Sequence, residues 1–273
     1  MIDPETNLPQ GSMVILRAVV GSTVHGTNVG NQDDRDEMAL AIEPMHYVIG
    51  MRHWETTVYR TAPDGQKSRP GDLDLVTHSL RKFCRLASRG NPTMQLPLFV
   101  PESAIVECNA LGRELIAKRS MFLSRQCGKA FLGYMMAQKA RLAGEAGGRH
   151  GSRPELIEKY GFDTKYAGHI IRLGYQGVEL MTTGHLSLPM RPEHREDVLA
   201  VRTGKWTLER TLSRAGELER ELRDSLDTGP LPDAPDEDAI NEFLQDAYLR
   251  AWGALWHRLE PSEVERVHPL EVA

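Results

Sequence analysis

The apolar positions of this chain follow two patterns, and the change between them falls near residue 110. Before it, short runs sit between polar turns, the mark of strands. Residues 14–20, rich in β-branched side chains, form the first run and stop at Gly21-Ser22; residues 38–42 form the second, and Pro44 ends it. Residues 23–33 have too few apolar positions for a packed helix and are expected to loop. The stretch 45–61 is ambiguous: Trp54, Thr56, Val58 and Tyr59 suggest an extended segment, and a loop follows at 62–70. Leu73, Leu75 and Val76 predict a third strand that carries Asp72 and Asp74. From Ser79 the spacing turns helical, with Leu80, Phe83, Leu86 and Ala87 on one face; Gly90 stops that helix and Pro92 starts the next turn. Residues 103–109 suit a last strand.

After residue 110 strand signals fade. Helices are expected near 110–124, 126–145, 154–160, 163–183, 193–203, 207–226 and 237–257, joined by a Gly-rich connection at 144–151 and a Pro-rich one at 229–235. The expected fold is α+β. A small mixed sheet with flanking helices spans residues 1–110, a helical region over 111–260 closes a cleft against it, and 261–273 is a tail.

Composition narrows the partners. A net charge of −5 gives no global basic field, so any nucleic-acid contact rests on local patches. No apolar run approaches the roughly 20 residues that span a bilayer, and the polar N-terminus lacks the regions of a secretion signal. Cys84, Cys108 and Cys127 have no paired spacing for zinc or disulfides. A cytoplasmic protein with reduced, mostly buried thiols is expected, with no membrane partner.

The chemistry lies in residues 14–42. Asp34 and Asp36 are two apart, so on an extended segment both carboxylates point to one side. Magnesium takes one or two carboxylates together with phosphate oxygens and water, and a third acid on a neighbouring strand lets two ions sit together. Asp74 is the candidate third acid; Asp72, on the same face, is its alternative. Gly21 allows the backbone to approach a phosphate closely, and Ser22 offers an amide and a hydroxyl. Singly these signals are weak. Jointly they are sharper: strand, Gly-Ser, eleven residues, Asp-x-Asp, strand, then a later strand acid.

This arrangement resembles the DNA polymerase β superfamily of nucleotidyltransferases, and within it the nucleotidyltransferases linked to RNA ligases in RNA repair. The likeness rests on Gly21-Ser22, Gly26-Thr27, Asp34-x-Asp36, Asp72-Leu73-Asp74-Leu75, Leu80-Arg81-Lys82 with Arg85-Leu86, and Asn91-Pro92. It covers roughly residues 14–250 and is densest over 18–92. The resemblance implies metal ligands at Asp34, Asp36 and Asp74, with Gly21 and Ser22 at the triphosphate. One departure is Asp33, where the family has a small polar residue.

A second stretch lies on the 163–183 helix. Lys165, His169, Arg172 and Gln176 form one narrow stripe on a helix whose other faces are apolar. Spacing alone fits a solvated stripe as well as a cleft wall. The resemblance, which includes Asp163-x-Lys165, His169 and Arg172-Leu173, favours Lys165, His169 and Arg172 as nucleotide-binding residues. Tyr134, Gln138 and Arg141, the ridge Arg81, Arg85 and Arg89, and a lone His25 in the loop are assigned to packing or solvent. Met135 and Met136 are assigned to the core, and helix 207–226 to a salt-bridged outer face.

The expected activity is transfer of a nucleoside monophosphate from an NTP, such as ATP, to an acceptor hydroxyl, with release of pyrophosphate. The expected cofactors are two Mg2+ (or Mn2+) ions. A nucleotide- or RNA-binding module without catalysis is the alternative, and a metal-dependent phosphohydrolase a third. RNA ends, a protein side chain and a small molecule all fit as acceptor; the resemblance points to RNA.

Overall fold

The computed structural model describes residues 7–30, 35–63, 65–66, 68–69, 71–143 and 153–256, the side chains of 254–256 excepted. Asp33, Asp34, the whole Gly-rich connection at 144–151 and the tail lie outside the described residues.

The strand-forming runs pair into one mixed sheet. Its strands are β1 (Met13–Val19), β2 (Arg35–Ile42), β3 (Thr56–Arg60), β4 (Leu73–Ser79) and β5 (Ile105–Cys108), in the order β3-β4-β2-β1-β5. Only β2 and β4 run parallel; the other pairs are antiparallel. Residues 38–42 of β2 are buried throughout because strands flank them on both sides. β3 is an edge strand, and its Val58 and Tyr59 stay exposed.

Helices fill the connections. The stretch expected to loop after β1 begins instead with a short helix, α1 (Gly21–His25). Val24 supplies the packing for it, against Ala18 and Val100. The ambiguous stretch resolves into α2 (Met45–Val48) and β3. Ser79 ends β4 and caps α3 (Leu80–Ser88), accepting from the Lys82 amide at 3.2 Å. Asn91 caps α4 (Pro92–Gln95) by accepting from the amides of Thr93 and Met94.

The second half is helical: α5 (Ala110–Ala117), α6 (Arg125–Leu142), α7 (Pro154–Tyr160), α8 (Thr164–Thr183), α9 (Pro192–Arg202), α10 (Leu208–Thr228) and α11 (Glu237–Trp256). α8 is the axis, with α6, α9 and α10 packed around it. Its glycines permit that density: a Cβ on Gly174 would lie 2.8 Å from Leu218 of α10. α10 carries the expected outer ion pairs, Arg214 to Glu217 and Glu221 at 2.9 and 2.8 Å. Met135 is buried, but Met136 is 40% exposed, because it faces outward from α6.

One hydrophobic cluster joins the two halves, running from Ile15 and Leu40 in the sheet through Phe83 and Phe131 to Ile170, Leu218 and Phe243. α11 returns to the sheet: the Tyr248 hydroxyl donates to the Glu43 carboxylate just past β2, and Trp252 Nε1 donates to the Glu43 carbonyl at 2.9 Å. Among the described residues no helix is long and apolar enough to cross a membrane.

Candidate active site

A cavity of about 410 Å³ lies between one face of the sheet and the helices α8 and α9. Its floor is set by register. Asp36 and Asp74 are direct Cα partners in the parallel β2–β4 ladder, so their carboxylates stand side by side on one face. Met38 and Val76, two residues on, are also partners and line the same cavity.

α1 brings the Gly-Ser turn to this floor. The Val20 amide donates to the Asp36 carbonyl at 2.9 Å, which ties the end of β1 to β2 beside the acid. Gly21 follows at φ +66°, and a Cβ there would overlap the Asp36 carboxylate. Only glycine supplies both that backbone angle and that clearance. Gly21, Ser22, Asp36 and Asp74 therefore share one wall of the cavity.

Asp72 and Asp74 part company here. Asp72 precedes β4 and accepts from the Arg69 amide at 2.7 Å and the Thr61 hydroxyl at 3.1 Å, so it shapes the loop that enters the strand. Asp74 lines the cavity; it accepts from the Ser68 hydroxyl at 2.7 Å and lies 3.6 Å from Arg60 Nε. Glu37, the next acid along β2, is taken up differently. Its side chain is 1% exposed and pairs with Arg17 at 2.5 Å and Arg35 at 2.6 Å. Both of its oxygens are committed to structure.

The roof is cationic. Lys165, His169 and Arg172 line the cavity from α8, as the helical stripe predicts, and Gln176 lies deeper on the same stripe. Arg172 donates to Gln176 at 2.9 Å and contacts His25 Nε2 at 2.7 Å. Because a guanidinium only donates, that nitrogen of His25 acts as acceptor and the ring is neutral. Burial, then the charges of Arg172 and His169, push the His25 pKa well below its ordinary value. Burial, then Arg172, lowers His169 to about 3, and burial, then Arg202, lowers Arg172 to about 10. Arg172, buried and beside the charge of Arg202, favours an anion at this spot.

Three cavity residues lack an assigned role in the sequence reading. His25, set aside as a lone loop residue, is buried at the centre of the roof network. Arg202 reaches the cavity from the end of α9 and donates to the Thr27 carbonyl. Gly168 makes its path possible, since a Cβ there would lie 2.7 Å from the Arg202 stem. Arg60 arrives from the edge strand β3. Asn91 also does more than cap: its amide donates to the Tyr134 hydroxyl at 3.1 Å and fastens the turn before α4 to α6.

Asp36 and Asp74 offer hard oxygen ligands of the kind magnesium or manganese takes. Gly21 leaves the space beside them clear of any side chain. This donor set fits a divalent cation. Among the described residues, no group of three or more His, Cys, Asp or Glu side chains is placed to hold one; the third expected ligand, Asp34, falls outside them.

The model of a family described as "RNA repair pathway DNA polymerase beta family" matches residues 5–246. Among solved structures, a nucleotidyltransferase-like protein from Exiguobacterium sibiricum aligns over 79% of this chain and 69% of its own, at 12% identity and a TM-score of 0.32, a likeness too loose to carry an argument. No curated protein matches.

Proposed function

We propose, from the premise that the chain belongs to the RNA repair pathway DNA polymerase beta family, that it is a metal-dependent nucleotidyltransferase. The reaction moves a nucleoside monophosphate from an NTP to an acceptor hydroxyl, an RNA end being the acceptor the family favours. A bond forms between the acceptor oxygen and the α-phosphorus, the bond from the α-phosphorus to the α,β-bridging oxygen breaks, and pyrophosphate leaves with that electron pair. The acceptor proton passes to a base.

The observation that carries this reading is the pairing of Asp36 with Asp74, flanked by Gly21 and faced by the cations of α8. Asp36 and Asp74, with Asp34, are the residues that would hold magnesium or manganese. Such ions, when bound there, would supply Lewis-acid stabilisation of developing negative charge. Gly21 and Ser22 receive the β and γ phosphates through backbone and hydroxyl donors. Lys165 and Arg172 face them and offset charge that develops on the transferring group, with His169 beside them in neutral form. Asp74 orients the attacking hydroxyl and is the nearest candidate for its proton.

Incubation with each labelled NTP and total RNA tests the proposal. Label in the RNA and matching pyrophosphate, both lost in Asp36→Asn, is the expected result; RNA that stays unlabelled with every NTP and metal overturns it. One observation favours the alternative of a binding module: Asp74 already has Ser68 and Arg60 as partners. Calorimetry that shows NTP and magnesium bound, without pyrophosphate release across several acceptors, would decide for it.

A further inference from the structure

Asp36, Asp74 and Arg60 form a row across three strands. Asp36 is the Cα partner of Asp74 on one side, and Arg60 is its partner on the other. Gly21 abuts the Asp36 end of this row; Arg60 stands at the opposite end, on the outermost strand. In phosphoryl transfer the attacking and leaving oxygens lie roughly in line across the phosphorus. With the triphosphate at Gly21 and Ser22, the attacking hydroxyl therefore comes in over Asp74, from the side of β3.

Arg60 is built to meet something there. Its side chain is 57% exposed and its Nε lies 3.6 Å from Asp74, an ion pair longer than a hydrogen bond. The guanidinium keeps donors for a second anion, and its planar fork matches phosphate oxygens. Val58, two residues earlier on the same face, is 53% exposed and lines the cavity as an apolar shelf.

We infer that Arg60 is the acceptor-side phosphate anchor of this site. It binds the phosphodiester next to the attacking hydroxyl of a polynucleotide end, with the terminal nucleoside on Val58. Without an acceptor, the same guanidinium rests against Asp74 and balances its charge. A protein or small-alcohol acceptor carries no phosphate one residue from its hydroxyl, so the pairing of cation and shelf favours a polynucleotide. The inference rests on the proposed transferase reading for its in-line direction, but its binding prediction can be measured separately.

The probe is a short oligoribonucleotide with a free 3′-hydroxyl and a 5′ fluorophore, followed by anisotropy over a salt series without metal. Arg60→Gln is expected to weaken binding about tenfold and to lower the salt slope by about 0.7, the loss of one phosphate contact on a single strand. Arg60→Lys, which keeps the charge but loses the planar fork, should restore the salt slope and only part of the affinity, and calorimetric binding of magnesium-ATP should change less than about twofold. Val58→Glu, at an exposed position, is the second variant and should weaken the oligoribonucleotide while sparing ATP. Unchanged affinity and slope in Arg60→Gln, or equal losses for ATP and oligoribonucleotide, overturn the anchor. Where the wild type transfers nucleotide, an unchanged KM for the oligoribonucleotide in Arg60→Gln also overturns it. Arg60-dependent binding without any transfer by the wild type overturns the transferase reading and upholds the anchor.

Discussion

Gly21 and Asp36 touch so closely that a Cβ on Gly21 would overlap the carboxylate. The first prediction concerns this contact. Gly21→Ala adds that Cβ at φ +66°, so it strains the backbone by roughly 1–3 kcal/mol and displaces Asp36. A lowered melting temperature should accompany a loss of turnover larger than the stability change explains. Normal pyrophosphate release from a folded Gly21→Ala protein would refute the close-contact role.

The three acids near β4 separate by substitution. Asp36→Asn and Asp74→Asn should each cut pyrophosphate release by about a hundredfold or more, the scale seen when one electrostatic stabiliser is removed, with the melting temperature nearly unchanged. Asp72→Asn should act on the loop instead, through its bonds to Arg69 and Thr61, and leave most of the turnover. If Asp72→Asn proves the more damaging, the assignment of Asp74 fails.

The buried histidines give a pH dependence of stability with a definite sign. His25 and His169 have lowered pKa values in the folded protein, so below the unfolded value of 6.5 the unfolded chain binds more protons. Stability from these rings is present above pH 6.5 and is lost as pH falls from there toward the folded values, about 3 for His169. His169→Gln should flatten this decline by up to about 1.4 kcal/mol per pH unit. Denaturant melts across that window, with equal slopes in both proteins, would refute it.

Glu43 has the opposite dependence. Burial raises its pKa above 4.5, against the hydrogen bond from Tyr248. Its contribution is greatest below the unfolded pKa and is lost as pH rises through the folded one. Glu43→Gln removes the buried charge and should be less sensitive than wild type to a pH rise above 4.5. Tyr248→Phe leaves the carboxylate without its hydroxyl donor and should cost about 1–3 kcal/mol, read from the same melts.

What the sequence made legible follows from locality. The stripe Lys165, His169 and Arg172 depends only on the period of one helix, and it lines the cavity as that period requires. Gly21-Ser22 sits beside Asp36 because the end of β1 pairs with β2. Arg60 was not legible, since its position depends on β3 pairing with β4, a fact of sheet order. Arg202 escaped notice for a similar reason: its stem crosses another helix where Gly168 leaves room. Asp72 and Asp74 share parity in the sequence, and it takes the register of β4 against β2 and the turn contacts of Asp72 to distinguish them. The burial of His25 is not legible either, because a loop is expected where α1 forms.

The fastening of Glu43 by Tyr248 and Trp252 joins residues separated by 205 and 209 positions. Ribosomal synthesis makes β2 early and α11 late, so through most of translation the strand bearing Asp36 has neither partner for the residue just past its end. The acids are in place long before the element that secures them. A nascent chain stalled before α11 therefore carries Asp36 and Asp74 on a sheet whose Glu43 still lacks the bonds from Tyr248 and Trp252.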